Sequence, residues 1–233
     1  MPKRKQRRKN SETAKRSPGW ITTDDEEILR RRERAASEEL QVDPLDADNA
    51  FYGSHRVDSN SGQSYRVEIR SLDSPVNSCN CPDHQVNGLG TCKHIEAVLH
   101  RLQHRRKRAF KAATTEGSPY FEIFLDRRDN SVWLLPPLKG APRSKAHDLL
   151  SPFFSSDNRL EGEPLDALPA LQRAVENVHG TVRSRIRISQ HLLPWLEALD
   201  RREQQIRGRR HFETEAAAGN MSLDLVKHSL YTY

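Results

Sequence analysis

The feature that most constrains this chain is a cluster of soft metal ligands between positions 79 and 94. Cys79 and Cys81 form a C-x-C pair, and Cys92 and His94 form a C-x-H pair ten residues further on. These positions hold all 3 cysteines of the 233-residue chain. Three thiolates and one imidazole make a donor set that suits tetrahedral zinc and leaves no coordination position for water. The pattern therefore predicts a structural zinc site rather than a catalytic one.

The spacing of the four residues also predicts their local structure. Residues two apart in an extended segment point to the same side, so Cys79 and Cys81 are expected to hold one ion from a strand end. Cys92 and His94 are expected in the loop and first turn that open a helix, after a turn-rich connection. The alternative is three unrelated buried thiols and a surface histidine, which such close clustering disfavours. An odd cysteine count and no resemblance to a signal peptide indicate a reducing cytosol.

The residues around the four ligands predict a small ββα unit. Tyr52–Val57 and Ser64–Arg70 are expected to form a hairpin that turns at Asp58–Gly62, because apolar and charged residues alternate in its second strand. A helix is expected over Lys93–Lys111, with a single apolar stripe that can pack on the hairpin. That stripe consists of Ile95, Val98, Leu99 and Leu102. Such a core is small, and zinc is expected to supply the missing stability.

These residues resemble the SWIM zinc finger, in which C-x-C-x(n)-C-x-H follows a strand pair and precedes a helix. Residues 87–99 look like the SWIM module of bacterial Swi/Snf-type, DNA-dependent ATPases, where it lies ahead of the helicase core. Residues 221–231 look like the lead-in to that core, and the segment between resembles theirs more weakly. The chain contains no G-x-x-x-x-G-K-[ST] phosphate loop. The resemblance implies the N-terminal accessory region of such an ATPase without its motor.

The rest of the chain predicts an α+β organisation in several segments. Residues 1–22 are expected to be a disordered basic tail, 23–50 a polar helix with a linker, and 51–111 the SWIM finger. A linker over 112–119 then leads to an α+β accessory region over 120–208 and a C-terminal tail over 209–233. The polar helix is expected to reach about Leu40 and to be loosely docked.

The accessory region is expected to contain two strands, two helices and a further strand. Tyr120–Leu125 and Val132–Leu135 are the first two strands, and the Pro-rich stretch Pro136–Pro152 is expected to be loop. Asp166 is expected to cap a helix whose apolar face includes Val178. A strand is expected over Val182–Ile188, and Ser189 is expected to open the last helix. Trp133 and Trp195 are either core or interface residues.

The net charge of +6 is concentrated at one end of the chain. Residues 1–16 hold eight Lys or Arg and one Glu, which makes +7, so the other 217 residues sum to −1. A second basic element is expected on the finger helix, where an exposed face could contact phosphates. It comprises Lys93, Arg101, Arg105, Arg106, Lys107, Arg108 and Lys111. The alternatives are a solubilising terminus and a solvated helix end whose charge suits the helix dipole.

Three histidines outside the C-x-H pair offer weaker metal interpretations. His84 could substitute for a ligand, although a solvent-facing loop residue is the simpler interpretation. His100 and His104 have the i,i+4 spacing of a metal pair but lack a third donor. No nucleophile, base and orienting residue form an organised set, so we expect no enzyme activity.

Three functional hypotheses follow from these patterns. The first is a zinc-binding, non-enzymatic adaptor that associates with nucleic acid. The second is a protein-interaction module that docks a helicase-type ATPase, and the third is a truncated ATPase fragment with no independent role. No apolar run approaches the ~18–20 residues that a membrane span needs. We therefore expect a cytoplasmic protein, with nucleoid association as an alternative, that binds Zn²⁺ and has no small-molecule substrate.

Overall fold

A computed structural model describes residues 22–46, 48–139 and 144–217 of the chain. Within these ranges the fold is α+β, with eight α-helices and two small sheets. This confirms the predicted fold class. Apart from Thr22, the predicted basic tail lies outside the described residues, as does the C-terminal tail beyond residue 217.

The first unit, which we call the metal unit, contains one four-stranded sheet and four helices. Its sheet is antiparallel throughout, with the strands in chain order. The elements are α1 (Asp24–Ser37), β1 (Gln41–Pro44), β2 (Gly53–Asp58), β3 (Ser64–Ile69), β4 (Ser78–Cys79), α2 (Pro82–Val86), α3 (Lys93–Arg105) and α4 (Lys107–Glu116).

The second unit packs four helices against a three-stranded sheet of order β6-β5-β7. Strand β5 pairs antiparallel with β6 and parallel with β7. The elements are β5 (Phe121–Asp126), β6 (Ser131–Leu135), α5 (Lys145–Leu150), α6 (Pro164–Glu176), α7 (Gly180–Ser184), β7 (Ile186–Ile188) and α8 (Leu192–Ala217). A short 3-10 turn, Ser151–Phe153, follows α5.

Each unit has its own apolar core. In the metal unit, the apolar stripe of α3 packs on the inner face of β2 and β3, as the sequence predicts. Ile95 and Val98 of α3 and Val57, Val67 and Ile69 of the hairpin are each at most 1% exposed. The second core is built around Phe121, Ile123, Leu150, Leu171 and Ile186. Two separate cores mean that the joint between the units is held by other contacts.

The predicted secondary structure of the metal unit needs four corrections. Helix α1 ends at Ser37 rather than Leu40, and the segment predicted as linker contains β1, in which only Val42 is buried. The single helix predicted over Lys93–Lys111 is wrong. Arg106 has φ −144° and ψ 57°, which breaks it into α3 and α4. Helix α4 then runs to Glu116, through most of the segment predicted as linker.

The second unit also departs from the predicted elements. The stretch predicted as loop contains α5, which Ser144 caps by accepting a hydrogen bond from the His147 backbone N–H. Glu163 rather than Asp166 precedes α6, and Val178 lies beyond its end. Only Ile186–Ile188 of the strand predicted from Val182 is extended, because α7 occupies the positions before it. Helix α8 begins at Leu192 and continues into the predicted C-terminal tail.

The two predicted tryptophan roles can now be placed. Trp195 is half-buried and packs against the second core from α8. Trp133 is half-buried on β6, where its indole N–H donates to Ser131 Oγ at 2.6 Å and Arg159 lies over its ring. In the part of the chain described here, no helix has both the length and the apolar character needed to cross a membrane.

Candidate metal centre

Four side chains converge at the end of the first sheet: Cys79, Cys81, Cys92 and His94. Cys79 is the last residue of β4, and Cys81 is the N-cap of α2. Cys92 is the N-cap of α3, and His94 lies in its first turn. The two local structures expected from the spacing, a strand end and a helix opening, are thus the ones observed.

The donor atoms form a group of the size that zinc requires. All four lie within 4.8 Å of one another. His94 Nδ1 is 3.8 Å from Cys79 Sγ and 3.9 Å from Cys92 Sγ. Tetrahedral zinc, with bonds of about 2.3 Å to sulfur and about 2.0 Å to nitrogen, sets its donors about 3.5–3.8 Å apart. The cluster is therefore a possible metal site of the Cys₃His type, and its donor set fits zinc.

Burial without a metal disfavours the thiolate form of these cysteines. All four are buried, and none of the cysteines is in a disulfide. Burial raises the pKa of the Cys79 and Cys92 thiols. Hydrogen bonds from those two thiols lower the pKa of Cys81. Only one of the three sulfurs is thus stabilised as a thiolate, and a metal that binds all three must displace protons from the other two.

Contacts outside the cluster hold the four side chains in place. The backbone N–H of Cys81 donates to Cys79 Sγ, and that of His84 donates to Cys81 Sγ, both at 3.4 Å. The Tyr65 ring stacks on the His94 imidazole with centroids 4.3 Å apart. His94 Nε2 is buried and has no hydrogen-bond partner within the described ranges. Nδ1, which faces the sulfurs, is therefore the nitrogen available to a metal.

The loop between the two ligand pairs is fixed by a close backbone approach. Gly90 has φ +70°, and a Cβ built on it would lie 2.6 Å from the Pro75 carbonyl oxygen. Gly88 has φ +66°, but a Cβ there would meet nothing within 4 Å. Asn87 Nδ2 also donates to the Thr91 carbonyl at 2.9 Å. The loop is thus pressed against the segment that precedes β4, which brings the C-x-H pair to the C-x-C pair.

Helix α1, expected to be loosely docked, is held against the metal centre by ion pairs. Arg31 makes two hydrogen bonds to Asp83, of 3.0 and 2.7 Å, two residues after Cys81. Two further ion pairs join α1 or its C-cap residue to α3, namely Arg32 with Glu96 and Glu38 with Lys93. The sequence did not predict this arrangement, because a helix with few apolar residues is expected to dock loosely. The charges that replace them are visible in the sequence, but their partners are not.

The other predicted site residues are placed apart from the four donors. His84 is buried beside the centre but is not part of the cluster. His100 and His104 stack on each other with centroids 4.1 Å apart, on the exposed side of α3. Lys93 is engaged with Glu38, and half-buried Arg101 lies near Asp43. The remaining predicted nucleic-acid residues, Arg105, Arg106, Lys107, Arg108 and Lys111, are exposed.

A second group of charges, which sequence reasoning did not find, lies where the two units meet. Glu68 on β3 and Arg70 just beyond it form a buried ion pair. Arg70 also donates to Ser78 Oγ at 2.7 Å, and its guanidinium lies over the Phe124 ring of β5. Arg187 of β7 donates to the Tyr52 carbonyl at 3.2 Å. The sequence showed only that Glu68 and Arg70 alternate with apolar residues along a strand, which predicts that both side chains face outward.

Comparison with known proteins adds no relative to this description. No protein-family model, no curated protein and no solved structure matches the chain. The class of protein that the fold and site define is therefore an α+β protein with a candidate Cys₃His metal centre, compatible with a zinc finger.

Proposed function

We propose that this protein is a zinc-stabilised, non-enzymatic adaptor that binds nucleic acid through an exposed basic surface. The observation that carries the metal part is the convergence of four buried soft donors within 4.8 Å. Four protein ligands complete the shell of a structural zinc ion, so the metal would cross-link β4, α2 and α3 rather than activate water. The resemblance of the ligand pattern to the SWIM finger supports the same assignment.

The nucleic-acid part of the proposal depends on the basic residues at the α3–α4 break. We call Arg105, Arg106, Lys107, Arg108 and Lys111 the α3–α4 basic cluster. None of them forms an ion pair with any described residue, and all five side chains are exposed. By contrast, the arginines of α1 form ion pairs with carboxylates of the same chain. Five unpaired charges on a folded surface suit contacts with phosphate oxygens.

The break at Arg106 changes how these charges are presented. Because α4 is a new helix, the basic residues expected along the finger helix do not form one continuous face. Lys107 and Lys111 lie one turn apart on α4, while Arg105 ends α3. The cluster is therefore a compact corner between two helices. Such a corner suits contacts with neighbouring phosphates and offers no aromatic platform for stacking single-stranded bases.

The experiment is a salt titration of DNA binding by the zinc-loaded full-length chain. The test variant replaces Arg105, Lys107 and Lys111 with Gln, and the matched control replaces Arg201, Arg202 and Arg210, exposed on α8, with Gln. Each lost phosphate contact lowers the log–log salt slope by about 0.9. We expect the test variant to lose about 2–3 units of slope and the control to lose little.

The outcomes separate the proposed adaptor from its alternatives. Equal losses in both variants would mean that total charge, rather than the α3–α4 basic cluster, drives binding. No DNA binding by the zinc-loaded chain at low salt would contradict the proposal and favour the protein-docking module. Zinc content is measured in parallel on every variant, so that a lost finger is not mistaken for a lost contact.

A further inference from the structure

A cavity of about 230 Å³ lies beside the metal centre, where the two units meet. The metal unit contributes its walls from β4 and α2, and the second unit contributes the β5–β6 turn and the start of α8. We call it the histidine–arginine cavity. Its polar and aromatic lining includes Asn80, His84, Gln85, Arg127, His191 and Trp195.

His84 is the first sign that the cavity holds something. Its side chain is nine-tenths or more buried, because the whole residue is only 3% exposed. Both ring nitrogens are buried, and neither makes a hydrogen bond to any described residue. The Asn77 carbonyl lies close enough to influence the imidazole but does not meet hydrogen-bond geometry. Leaving a buried polar group unpaired is costly, so such groups in native proteins generally have a partner.

Arg127 is the second sign. It is half-buried, and burial lowers the pKa of its guanidinium. Unlike its neighbour Arg128, which pairs with Asp126, it has no ion pair or hydrogen bond to the part of the chain that is described. A guanidinium offers five N–H donors in a planar fork, a geometry that suits phosphate and carboxylate oxygens. Arg127 therefore presents an unused anion-binding group to the cavity.

The lining of the cavity supplies hydrogen-bond donors and, among the described residues, contains no carboxylate. Glu68 approaches His191 Nε2 at 3.9 Å but does not line the cavity. Cys79 does line it, and a zinc centre with three thiolates carries one net negative charge. The Arg127 guanidinium offsets that charge, so an anion in the cavity would be held by the N–H donors of Arg127 and the two histidines rather than by an excess of positive charge.

We propose that the histidine–arginine cavity binds a phosphate group, held by the Arg127 guanidinium and by ring N–H donors of His84 and His191. The size of the cavity limits the ligand. Its volume equals that of about eight water molecules at about 30 Å³ each, and it lies below the about 300–1,000 Å³ of pockets for drug-sized ligands. This leaves room for inorganic phosphate, or for the phosphate end of a nucleotide whose remainder stays outside beside Trp195.

This site is independent of the proposed DNA contacts. None of the residues in the α3–α4 basic cluster lines the cavity. Phosphate binding in the cavity could therefore succeed where DNA binding fails, or the reverse. The two proposals share only the requirement that the metal unit is folded.

The test is calorimetric titration of the zinc-loaded full-length chain with inorganic phosphate and, separately, with adenosine monophosphate, in chloride buffer of constant ionic strength. Arg127→Gln removes the charge, and Arg201→Gln on exposed α8 removes the same charge elsewhere. A charged hydrogen-bond donor is worth a factor of about 10 or more in affinity. We expect Arg127→Gln to weaken phosphate binding about tenfold, and Arg201→Gln to leave it unchanged.

A second measurement keeps the test valid if Arg127→Gln folds poorly. Histidine ring resonances of the unmodified protein are followed as phosphate is added. We expect those of His84 and His191 to shift while those of exposed His100 and His104 stay in place. Tighter binding of adenosine monophosphate than of inorganic phosphate would assign the phosphate to a nucleotide, and the converse would assign free phosphate.

Two results would overturn the proposal. One is the absence of saturable binding of either probe, or binding that shifts all four histidines equally. The other is normal phosphate binding by the Arg127→Gln variant. If neither the unmodified protein nor this variant binds phosphate, zinc retention is compared between them. Readier loss of zinc from the variant than from the unmodified protein would make Arg127 a counter-ion for the thiolates rather than a ligand-binding residue.

Discussion

Glu68 Oε2 accepts a hydrogen bond of 2.6 Å from Ser189 Oγ, a residue 121 positions further along the chain. Glu68 Oε1 accepts a second, of 2.9 Å, from the Gln190 backbone N–H. The same carboxylate is paired with Arg70. One buried side chain of the metal unit thus fixes the loop between β7 and α8. Since β3 pairs with β4 next to Cys79, the joint between the units is one strand away from the metal centre.

Replacing Glu68 with Gln should destabilise the whole chain, because it leaves the buried Arg70 guanidinium without its main counter-charge. Removing one partner of a buried ion pair costs about 3–5 kcal/mol. We expect the lower end of that range, since Glu122 lies 3.9 Å from Arg70 Nε and can compensate in part. Urea denaturation measures the change. Glu39→Gln, at an exposed position, is the control and should change stability by less than about 0.5 kcal/mol.

Mild acid should also weaken the joint, through His191. Burial lowers the pKa of His191 to about 4, against the opposing charge of Glu68, while Arg70, His84 and Arg127 add to the lowering. The unfolded chain, with an ordinary histidine pKa of about 6.5, therefore binds more protons than the folded one between about pH 4 and pH 6.5. Stability must fall as the pH falls through that window. The loss attributable to His191 is at most about 3 kcal/mol.

The pH effect is checked by measuring urea denaturation at intervals from pH 7 to pH 4. His191→Asn should make the free energy of unfolding less dependent on pH between pH 6.5 and pH 4.5, because the variant lacks the proton uptake of His191. His100→Asn, at an exposed histidine, should leave the curve unchanged. If His191→Asn and the unmodified protein lose stability in parallel, the acid sensitivity has another source. His55, whose pKa is also lowered by burial, would then be the first residue to examine.

Zinc should bind at about one equivalent per chain, and its removal should unfold the metal unit. Structural zinc sites of this type bind with about 10–16 kcal/mol, more than the small core around Val67 can supply. Cys81→Ser and His94→Ala should each abolish stoichiometric zinc and reduce helical circular dichroism. His100→Ala, on the exposed side of α3, should do neither. A metal-free protein with the same spectrum and the same denaturation midpoint would contradict the assignment.

Helix α1 should depend on Arg31 for its position. The Arg31 side chain is 15% exposed and is paired with both Asp83 and Glu27, whereas that of Arg30 is 58% exposed and is paired with Glu27 alone. We expect Arg31→Ala to cost about 1 kcal/mol and Arg30→Ala less than about 0.5 kcal/mol. Hydrogen exchange should show faster opening of α1 in the first variant only. A double-mutant cycle with Asp83→Asn isolates the interhelical pair, and a coupling energy of zero would refute it.

The parts of the fold that followed from the sequence are those in which local chemistry decides the outcome. The C-x-C and C-x-H pairs were correctly placed at a strand end and at a helix opening, because the spacing itself limits which backbones can present two donors together. The hairpin followed from alternation, and the predicted start of the polar helix at residue 23 agrees with the capping box that begins α1. In the structure Thr23 Oγ1 accepts from the Glu26 backbone N–H at 3.3 Å, and the Glu26 side chain accepts from the Thr23 N–H at 3.2 Å.

The parts that were missed depend on contacts between distant residues. Strand β1 contains one apolar residue, Val42, and ends at a proline, so only its pairing with β2 makes it a strand. The break at Arg106 falls among good helix formers, whose intrinsic propensity gives no warning of it. Glu68 alternates as an outward residue would, and the second unit covers it only in the complete fold. Each miss is a case in which tertiary packing overrides a local preference.

The two glycines of the ligand loop differ in which other residues could replace them in a related protein. At position 90 a side chain would collide with the Pro75 carbonyl oxygen, so no other residue fits without moving the loop. At position 88 only the left-handed backbone matters, and asparagine also adopts that conformation. A search pattern for distant relatives should therefore require glycine two positions before the third cysteine and accept Gly or Asn four positions before it. A pattern that demanded both glycines would discard chains able to build the same centre.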